Sequence, residues 1–241
     1  MALRSWKFES SPGHHFYFNL LAKIRRRSEV KPKKVKDATI DIHYGDIPAN
    51  IKFPDAIAVD TEAMGLNNQR DRLCVVQLSS GDGTAHLVKF YADDNYLAPN
   101  LRALLADQSK TKIFHYARFD VAIIQQYLNV VCQPLYCTKI ASYLARTYTN
   151  CHGLKDLCKE LLGIELSKAQ QSSDWGTDEL SDEQIFYAAS DVLYLHQIRI
   201  TLNEMLLREG RMEHLEACLK FVPTRVALDL NGWADQDIFH H

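Results

Sequence analysis

The sequence predicts an α/β fold in which a mixed central sheet is flanked by helices. Short apolar runs bounded by turn residues fill the first half of the chain, and apolar residues at helical spacing dominate after residue 138. This order of elements is typical of one domain whose helices cover a sheet. With 241 residues, 46% of them hydrophobic and 24% charged, the chain has the composition of a globular protein.

Four segments are predicted to form strands. The apolar run Ala56–Asp60 ends in an acidic residue, as a buried strand does when it reaches the edge of a core. Gly81-Asp82-Gly83 is a hairpin signal, so the first three strands are predicted to be consecutive and antiparallel. The other predicted strands are Leu73–Leu78, Thr84–Phe90 and Lys112–His115.

The helices are predicted from apolar spacing and from their end signals. Ser181 with Gln184 three residues later forms a capping box, and the helix that it opens is predicted to run to about Arg208. Pro223 is predicted to follow the end of the last helix. The predicted helices are Asn100–Ala106, Phe119–Leu128, Gly153–Leu162, Ser181–Arg208 and Met212–Phe221.

The net charge of −2 is unevenly distributed. Residues 1–36 hold ten Lys or Arg and two Asp or Glu of the totals of 28 and 30, which leaves a net charge of −10 on the remaining 205 residues. Such an acidic body is unsuited to long duplex nucleic acid, because that binding needs an extended basic face. The acidic body is compatible with a short anionic ligand that binds through a divalent metal.

Residues 1–37 are predicted to be a basic, flexible extension of a catalytic domain that spans residues 38–241. A solvated arm, an RNA-attracting arm and a targeting peptide all stay open, the last because the extension is Arg-rich and has an apolar patch at Phe16–Leu21. The six cysteines contain no CxxC pair and follow no secretory signal, so reduced thiols in a cytoplasm are expected. No apolar run reaches the ~18 residues of a membrane span.

Four acidic residues and one tyrosine occur at positions where a catalytic role is one of the interpretations. Asp60 and Glu62 are two apart on a strand, so both carboxylates point to the same face and repel each other unless a cation lies between them. Asp120 lies where a strand passes into a helix, and Tyr187 and Asp191 are one helical turn apart. Each feature alone also fits a turn, a helix cap or a surface pair.

Together these five residues resemble the motifs of the DEDD 3′–5′ exonucleases, in the variant with a tyrosine in the third motif (DEDDy). The flanking runs are similar to the RNase D branch, above all to the short bacterial enzymes called nano-RNase C. The runs that carry this similarity are Asp71–Thr84, Cys137–Ser142, Gln171–Trp175 and Leu228–Trp233. The resemblance implies a ribonuclease H-like (DnaQ-like exonuclease) fold over about residues 40–241.

The resemblance implies hydrolysis by two divalent ions, Mg²⁺ or Mn²⁺, which suit hard oxygen ligands. The implied metal ligands are Asp60, Glu62, Asp120 and Asp191, of which Asp120 acts largely through water. Tyr187 is expected to orient the attacking water, because an ordinary phenol with a pKa of about 10 is a poor base.

Nine residues are predicted to contact the substrate: Thr61, Gly65, Leu66, Gln77, His115, Phe119, Lys168, Gln171 and Ser172. Several have a second interpretation: Gly65 can serve a turn alone, His115 and Phe119 can simply pack, and residues 168–172 can form an ordinary surface loop. Trp175 fits either stacking on a base or filling the core.

The resemblance implies that the enzyme degrades very short RNA, dinucleotides above all, to 5′-mononucleotides at the end of RNA turnover, as a ring of eight subunits. The apolar end Val222–His241 is expected to pack back on the body or to join a subunit contact. The chain after Arg208 is too short for the extra helical domains of RNase D, which favours short substrates. Trimming of longer or structured RNA, or of DNA, and a non-catalytic RNA-binding module stay as alternatives.

Overall fold

A six-stranded mixed sheet forms the centre of the protein, whose computed structural model describes residues 38–167 and 169–240. The strands are β1 (Thr39–Tyr44), β2 (Ala56–Ala63), β3 (Leu73–Ser79), β4 (Thr84–Lys89), β5 (Thr111–Phe114) and β6 (Leu135–Cys137). Their order is β1-β4-β3-β2-β5-β6. β3 is antiparallel to both neighbours, and the other five strands share one direction. The predicted mixed α/β sheet is confirmed; the predicted extension, residues 1–37, lies outside the described residues.

Seven helices cover the sheet in the described part of the chain. They are α1 (Pro99–Ala106), α2 (Ala117–Leu128), α3 (Thr138–Ala145), α4 (Leu154–Leu157), α5 (Asp182–Leu193), α6 (Leu195–Arg208) and α7 (Met212–Leu228). Two π-helical turns continue α4 and α7, at Cys158–Leu162 and Asp229–Trp233. None of the helices in residues 38–167 and 169–240 is long and apolar enough to cross a membrane.

The strand predictions are confirmed where they rest on an apolar run and a turn that are close together in the sequence. β2, β3 and β4 are consecutive and antiparallel, and the turn between β3 and β4 places Gly81 and Gly83 at φ values of 75° and 94°. Two strands were not predicted. β1 is an edge strand without a fully buried residue, and β6 has only three residues, so neither carries a strong apolar pattern.

Two helix predictions are wrong in their bounds. The single long helix predicted over Ser181–Arg208 is divided at Tyr194, where φ is −107° and ψ is −5°. Pro223 does not end the last helix, which continues to Leu228. Val222 and Val226 are buried against the core on either side of the proline, and this packing offsets the hydrogen bond that proline cannot donate.

The alternation of β2 assigns its side chains to two apolar layers. Ile57 and Val59 pack against α1, α2 and α7 on one face, whereas Ala58 packs against α3, α5 and α6 on the other. Continuing this alternation, Asp60 and Glu62 point to the α5 face and Thr61 to the α2 face. One strand therefore delivers side chains to both layers at the point where it leaves the core.

Candidate active site

β2 and α5 bring three of the predicted carboxylates together. One oxygen atom from each of Asp60, Glu62 and Asp191 lies within 4.8 Å of the others. Asp60 and Glu62 share a face of β2, and Asp191 follows Tyr187 by one turn of α5. The periods of strand and helix thus produce the cluster from residues about 130 positions apart in the sequence.

The start of α5 fixes the position of Tyr187 and Asp191. The predicted capping box is present: the Ser181 backbone N–H donates to Gln184 Oε1 at 2.9 Å, and the Gln184 backbone N–H donates to Ser181 Oγ at 3.3 Å. Gln184 also donates to Ser173 Oγ at 3.1 Å and to the Asp174 carbonyl at 3.0 Å. The cap therefore joins α5 to the preceding loop.

The fourth carboxylate, Asp120, approaches from α2 on the other face of the sheet. It is buried, and its Oδ1 accepts a 2.7 Å hydrogen bond from the Thr61 hydroxyl. It does not belong to the group of three, but its negative charge raises the pKa of Glu62. Asp120 therefore lies beside the cluster, held by the residue between Asp60 and Glu62.

Burial, together with repulsion among the charges, disfavours ionisation of the four carboxylates. Burial raises the pKa of Asp60 to about 7. Burial, followed by the charge of Asp60, raises the pKa of Glu62, Asp120 and Asp191 well above the ordinary range. The Thr61 hydrogen bond lowers the pKa of Asp120 in part, and hydrogen bonding to Tyr187 does the same for Asp191. The carboxylates thus need a counter-charge to be ionised together.

The protein itself supplies no such counter-charge in residues 38–167 and 169–240, where no Lys or Arg forms an ion pair with any of the four carboxylates. Three carboxylate oxygens within 4.8 Å of one another are the hard donor set that Mg²⁺ and Mn²⁺ prefer. The residues therefore fit a divalent cation at Asp60, Glu62 and Asp191.

Tyr187 is a neutral hydroxyl group at this site. Burial, and then the charges of Asp191 and Glu62, raise the pKa of its phenol above the ordinary value. The ring of Trp175 packs near the ring of Tyr187. Trp175 is 2% exposed, and the two ring centroids lie 6.0 Å apart. Of the two interpretations left open for Trp175, the core position is the one observed.

Gln77, predicted to contact substrate, lies inside the protein. It is opposite Asp60 in the β2–β3 register, is fully buried, and its Nε2 lies 3.5 Å from Asp60 Oδ2. Its Oε1 has no partner among the described residues. Gln77 and the buried Thr61 thus each contact a carboxylate in the structure, and their predicted contact with substrate stays a prediction.

Gly65 and Leu66 lie in the loop between β2 and β3. A Cβ at Gly65 would lie 2.3 Å from Asp71 Oδ2, so a larger residue there would displace the Asp71 side chain. Asp71 anchors the loop by accepting the Asn67 backbone N–H at 3.0 Å. Leu66 is 86% exposed at the tip of this braced loop, and an apolar side chain held in solvent remains available for the predicted base contact.

His115 and Phe119 flank Asp120. The Thr138 hydroxyl donates to the Phe114 carbonyl at 3.1 Å, so it accepts from His115 Nδ1–H at 2.8 Å and leaves Nε2 as an acceptor. Burial, and then Lys139, lower the pKa of His115 to about 3, which keeps the ring neutral. Phe119 is half-buried against the core.

The remaining predicted contacts lie in the loop before α5. Gln171 and Ser172 are exposed, and Lys168 lies outside the described residues. The loop is held by Trp175, whose carbonyl accepts a 3.0 Å hydrogen bond from the buried Lys89 ammonium, and by Arg72, which donates to the Gly176 carbonyl at 3.2 Å. No sequence pattern indicates these hydrogen bonds, because each joins segments more than 80 residues apart.

Comparison with known proteins defines the class. A family model described as a 3′–5′ exonuclease matches residues 45–207, which is more than half of the chain. The chain therefore belongs to the 3′–5′ exonuclease family.

Within this family, the chain is similar to proteins of the RNase D-like group. Ribonuclease D from Acidiphilium cryptum is 37% identical over 157 residues, which are 65% of this chain and 39% of that protein. The match thus spans about two fifths of the length of this relative. The structure of Escherichia coli RNase D covers 71% of this chain and 45% of its own at 27% identity, with a TM-score of 0.62.

One solved structure matches over almost its whole length. The structure of Brucella melitensis NrnC bound to pGG is 54% identical, covers 85% of this chain and 99% of its own, and has a TM-score of 0.81. The same protein with bound Mg²⁺ is 53% identical, with a TM-score of 0.80. The predicted resemblance to RNase D-like exonucleases and to nano-RNase C, and the predicted exonuclease fold, are confirmed.

We expect Mn²⁺ to stabilise the metal-free protein, because the ion neutralises carboxylates that repel one another. Free metal at about 100 times its Kd adds about 2.7 kcal/mol to the free energy of unfolding, measurable as a rise in melting temperature. Asp191→Asn should lose most of this rise. Asp182→Asn, an exposed change on the same helix, should keep it, and equal rises in both variants would contradict the site.

The metal-free protein should also lose stability as the pH rises. The pKa of Asp60 is raised from 3.8 to about 7, so between these values the folded chain binds more protons than the unfolded chain. Ionisation therefore opposes folding, and the free energy of unfolding should fall between pH 4 and pH 7, approximately. Urea unfolding in EDTA measures this fall. Asp60→Asn should show a shallower one, and an unchanged slope would argue against a raised pKa.

Proposed function

We propose that the chain is a metal-dependent 3′–5′ exoribonuclease that hydrolyses very short RNA, preferentially dinucleotides, to 5′-mononucleotides. The observation that carries this proposal is the cluster of Asp60, Glu62 and Asp191 beside a neutral Tyr187 and a fourth carboxylate, Asp120. All five residues of the resemblance occupy one end of the sheet. A non-catalytic binding module gives no reason for this complete set.

Each group has a role that follows from its surroundings. Asp60, Glu62 and Asp191 would hold one divalent ion, and Asp60 with Asp120 would serve a second. Bound cations supply the charge that stabilises the reacting phosphate and make water a stronger nucleophile. Tyr187, which keeps its proton, donates a hydrogen bond and orients the attacking water rather than deprotonating it.

The charge of the body supports a short substrate. With a net charge of −10 outside residues 1–36, the body cannot gain much affinity by releasing counterions from a long RNA. Affinity must then come from metal, stacking and the shape of the pocket. The relative that matches over its whole length was solved with pGG, which supports the same substrate class here.

The second candidate is trimming of longer or structured RNA. It is favoured by the Ribonuclease D relatives, which are up to 37% identical over the exonuclease region. The two candidates share the site and differ in how substrate length affects turnover.

Turnover measured over a series of RNA lengths separates the two candidates. We expect kcat/KM for a dinucleotide to exceed that for a heptanucleotide and for a long single strand by more than about tenfold, equal to ~1.4 kcal/mol. EDTA and Asp60→Ala should abolish all turnover, whereas Glu204→Gln, an exposed change on α6, should not. Comparable turnover of all lengths would favour the trimming enzyme, and metal-independent turnover would contradict the site itself.

We also propose that the C-terminal segment, residues 229–240, forms a subunit contact in an oligomer, as an octameric ring would require. Arg118 holds this segment on the body, donating to Asp229 at 2.6 and 2.9 Å and to the Ala234 carbonyl at 2.7 Å. The segment still exposes Trp233, Ile238 and Phe239. Apolar side chains presented by an anchored segment fit a protein contact.

Analytical ultracentrifugation tests this contact. Changing Trp233 and Ile238 together to Ser should lower the mass of the assembly, because the change removes apolar area from the contact and leaves the Arg118 anchor intact. Leu97→Ser, which alters an exposed apolar residue elsewhere, should leave the mass unchanged. A monomeric parent protein, or an unaltered assembly in the double variant, would exclude the proposed role.

A further inference from the structure

β5 and β6 follow β2 in the sheet and run parallel to it, so their C-terminal ends lie on the same side of the sheet as the end of β2 that carries the carboxylates. Ala58 pairs with Ile113, and Phe114 pairs with Cys137. Tyr116 follows β5 and begins α2, one helical turn before Asp120. His115, which precedes Tyr116, is joined by a 2.8 Å hydrogen bond to Thr138, which precedes Lys139.

Tyr116 has a backbone conformation that does not suit tyrosine. It begins α2 in the left-handed region, with φ of 76° and ψ of 45°, and makes no side-chain capping bond. Glycine or asparagine adopts this conformation at lower conformational energy. Tyr116 is also 46% exposed, so burial of its ring does not offset the strain. What tyrosine adds at this position is an aromatic surface next to the site.

Lys139 is a cation without a carboxylate partner. Its ammonium lies 4.4 Å from the centroid of the Tyr116 ring, and it forms no ion pair with any residue of the described ranges. It occupies the first turn of α3, where the helix dipole disfavours a positive charge and favours an anion. The cation and the helix end therefore attract the same kind of ligand.

Tyr116 and Lys139 line a cavity of about 970 Å³ between α2, α3 and α7. Two other cations line it, but Arg118 and Arg225 both pair with Asp229. Two carboxylates, Asp235 and Asp237, line the cavity as well, and among the described lining residues Lys139 is the cation that forms no ion pair and is left to meet an anion. A cavity of this size with an aromatic face and one available cation fits a single nucleotide.

We propose that Tyr116 and Lys139 form a nucleotide subsite of the RNA substrate, in which a base stacks on the Tyr116 ring and Lys139 contacts a phosphate oxygen. The subsite rests on the proposed function, because it names where a second part of the RNA is held beside the scissile phosphate. Both are specificity-determining residues that touch the substrate and leave the chemical step to the carboxylates.

The full chain and four variants test the subsite with pGG as the probe. Lys139→Ala and Tyr116→Asn should each raise KM by about tenfold and leave kcat within about twofold, as expected for one lost charged contact or one lost stacking surface. Asparagine tolerates the left-handed backbone, so this variant removes the ring without adding strain. Tyr116→Phe keeps the ring and should resemble the parent. Lys52→Ala, an exposed lysine before β2 at the opposite edge of the sheet, is the charge-matched control.

Equilibrium binding of labelled pGG in EDTA, without turnover, separates the subsite from the proposed function. Weaker binding by Lys139→Ala and Tyr116→Asn, with an inactive parent, would support the subsite and overturn the proposed function. An active parent whose two variants keep the parental KM and binding would overturn the subsite alone. A fall in kcat at constant KM would also overturn it. A parent that neither binds nor hydrolyses pGG would overturn both.

Discussion

Repulsion between the carboxylates of Asp60, Glu62 and Asp191 is the constraint on which the rest of the site depends. The fold gathers these groups at the end of β2, partly removes them from water and offers no Lys or Arg ion pair to them within residues 38–167 and 169–240. Burial and repulsion therefore raise their pKa values. A divalent cation relieves this cost, so the same arrangement that weakens the metal-free fold creates affinity for metal.

β2 serves two faces of the sheet with three consecutive residues. The side chains of Asp60 and Glu62 point to the layer that contains α5. The side chain of Thr61 points to the layer that contains α2, where its hydroxyl donates a 2.7 Å hydrogen bond to Asp120. Because the strand alternates as far as Glu62, backbone geometry fixes which face of the sheet each of these three side chains occupies. Rigid elements hold the carboxylates, which is what an ion with strict coordination geometry requires.

The proposed recognition of substrate around this centre is local rather than long-range. The body is acidic overall, and its available groups near the site are few: Leu66 on a braced loop, and Tyr116 with Lys139 at the ends of β5 and β6. Contacts of this kind depend on short distances and on shape, whereas a basic surface acts over a Debye length of about 10 Å. The electrostatics and the proposed substrate size are thus consistent.

The sequence alone determined the features that depend on neighbours along the chain. Period-two alternation put Asp60 and Glu62 on one face, helical spacing put Tyr187 one turn from Asp191, and Ser181 marked the start of their helix. Only the tertiary structure decided the strands β1 and β6, the break at Tyr194, the helical Pro223, the burial of Gln77 and the partners of Asp120 and Trp175. These depend on contacts between distant segments, whose energy is set by packing in three dimensions and leaves no periodic trace in the sequence.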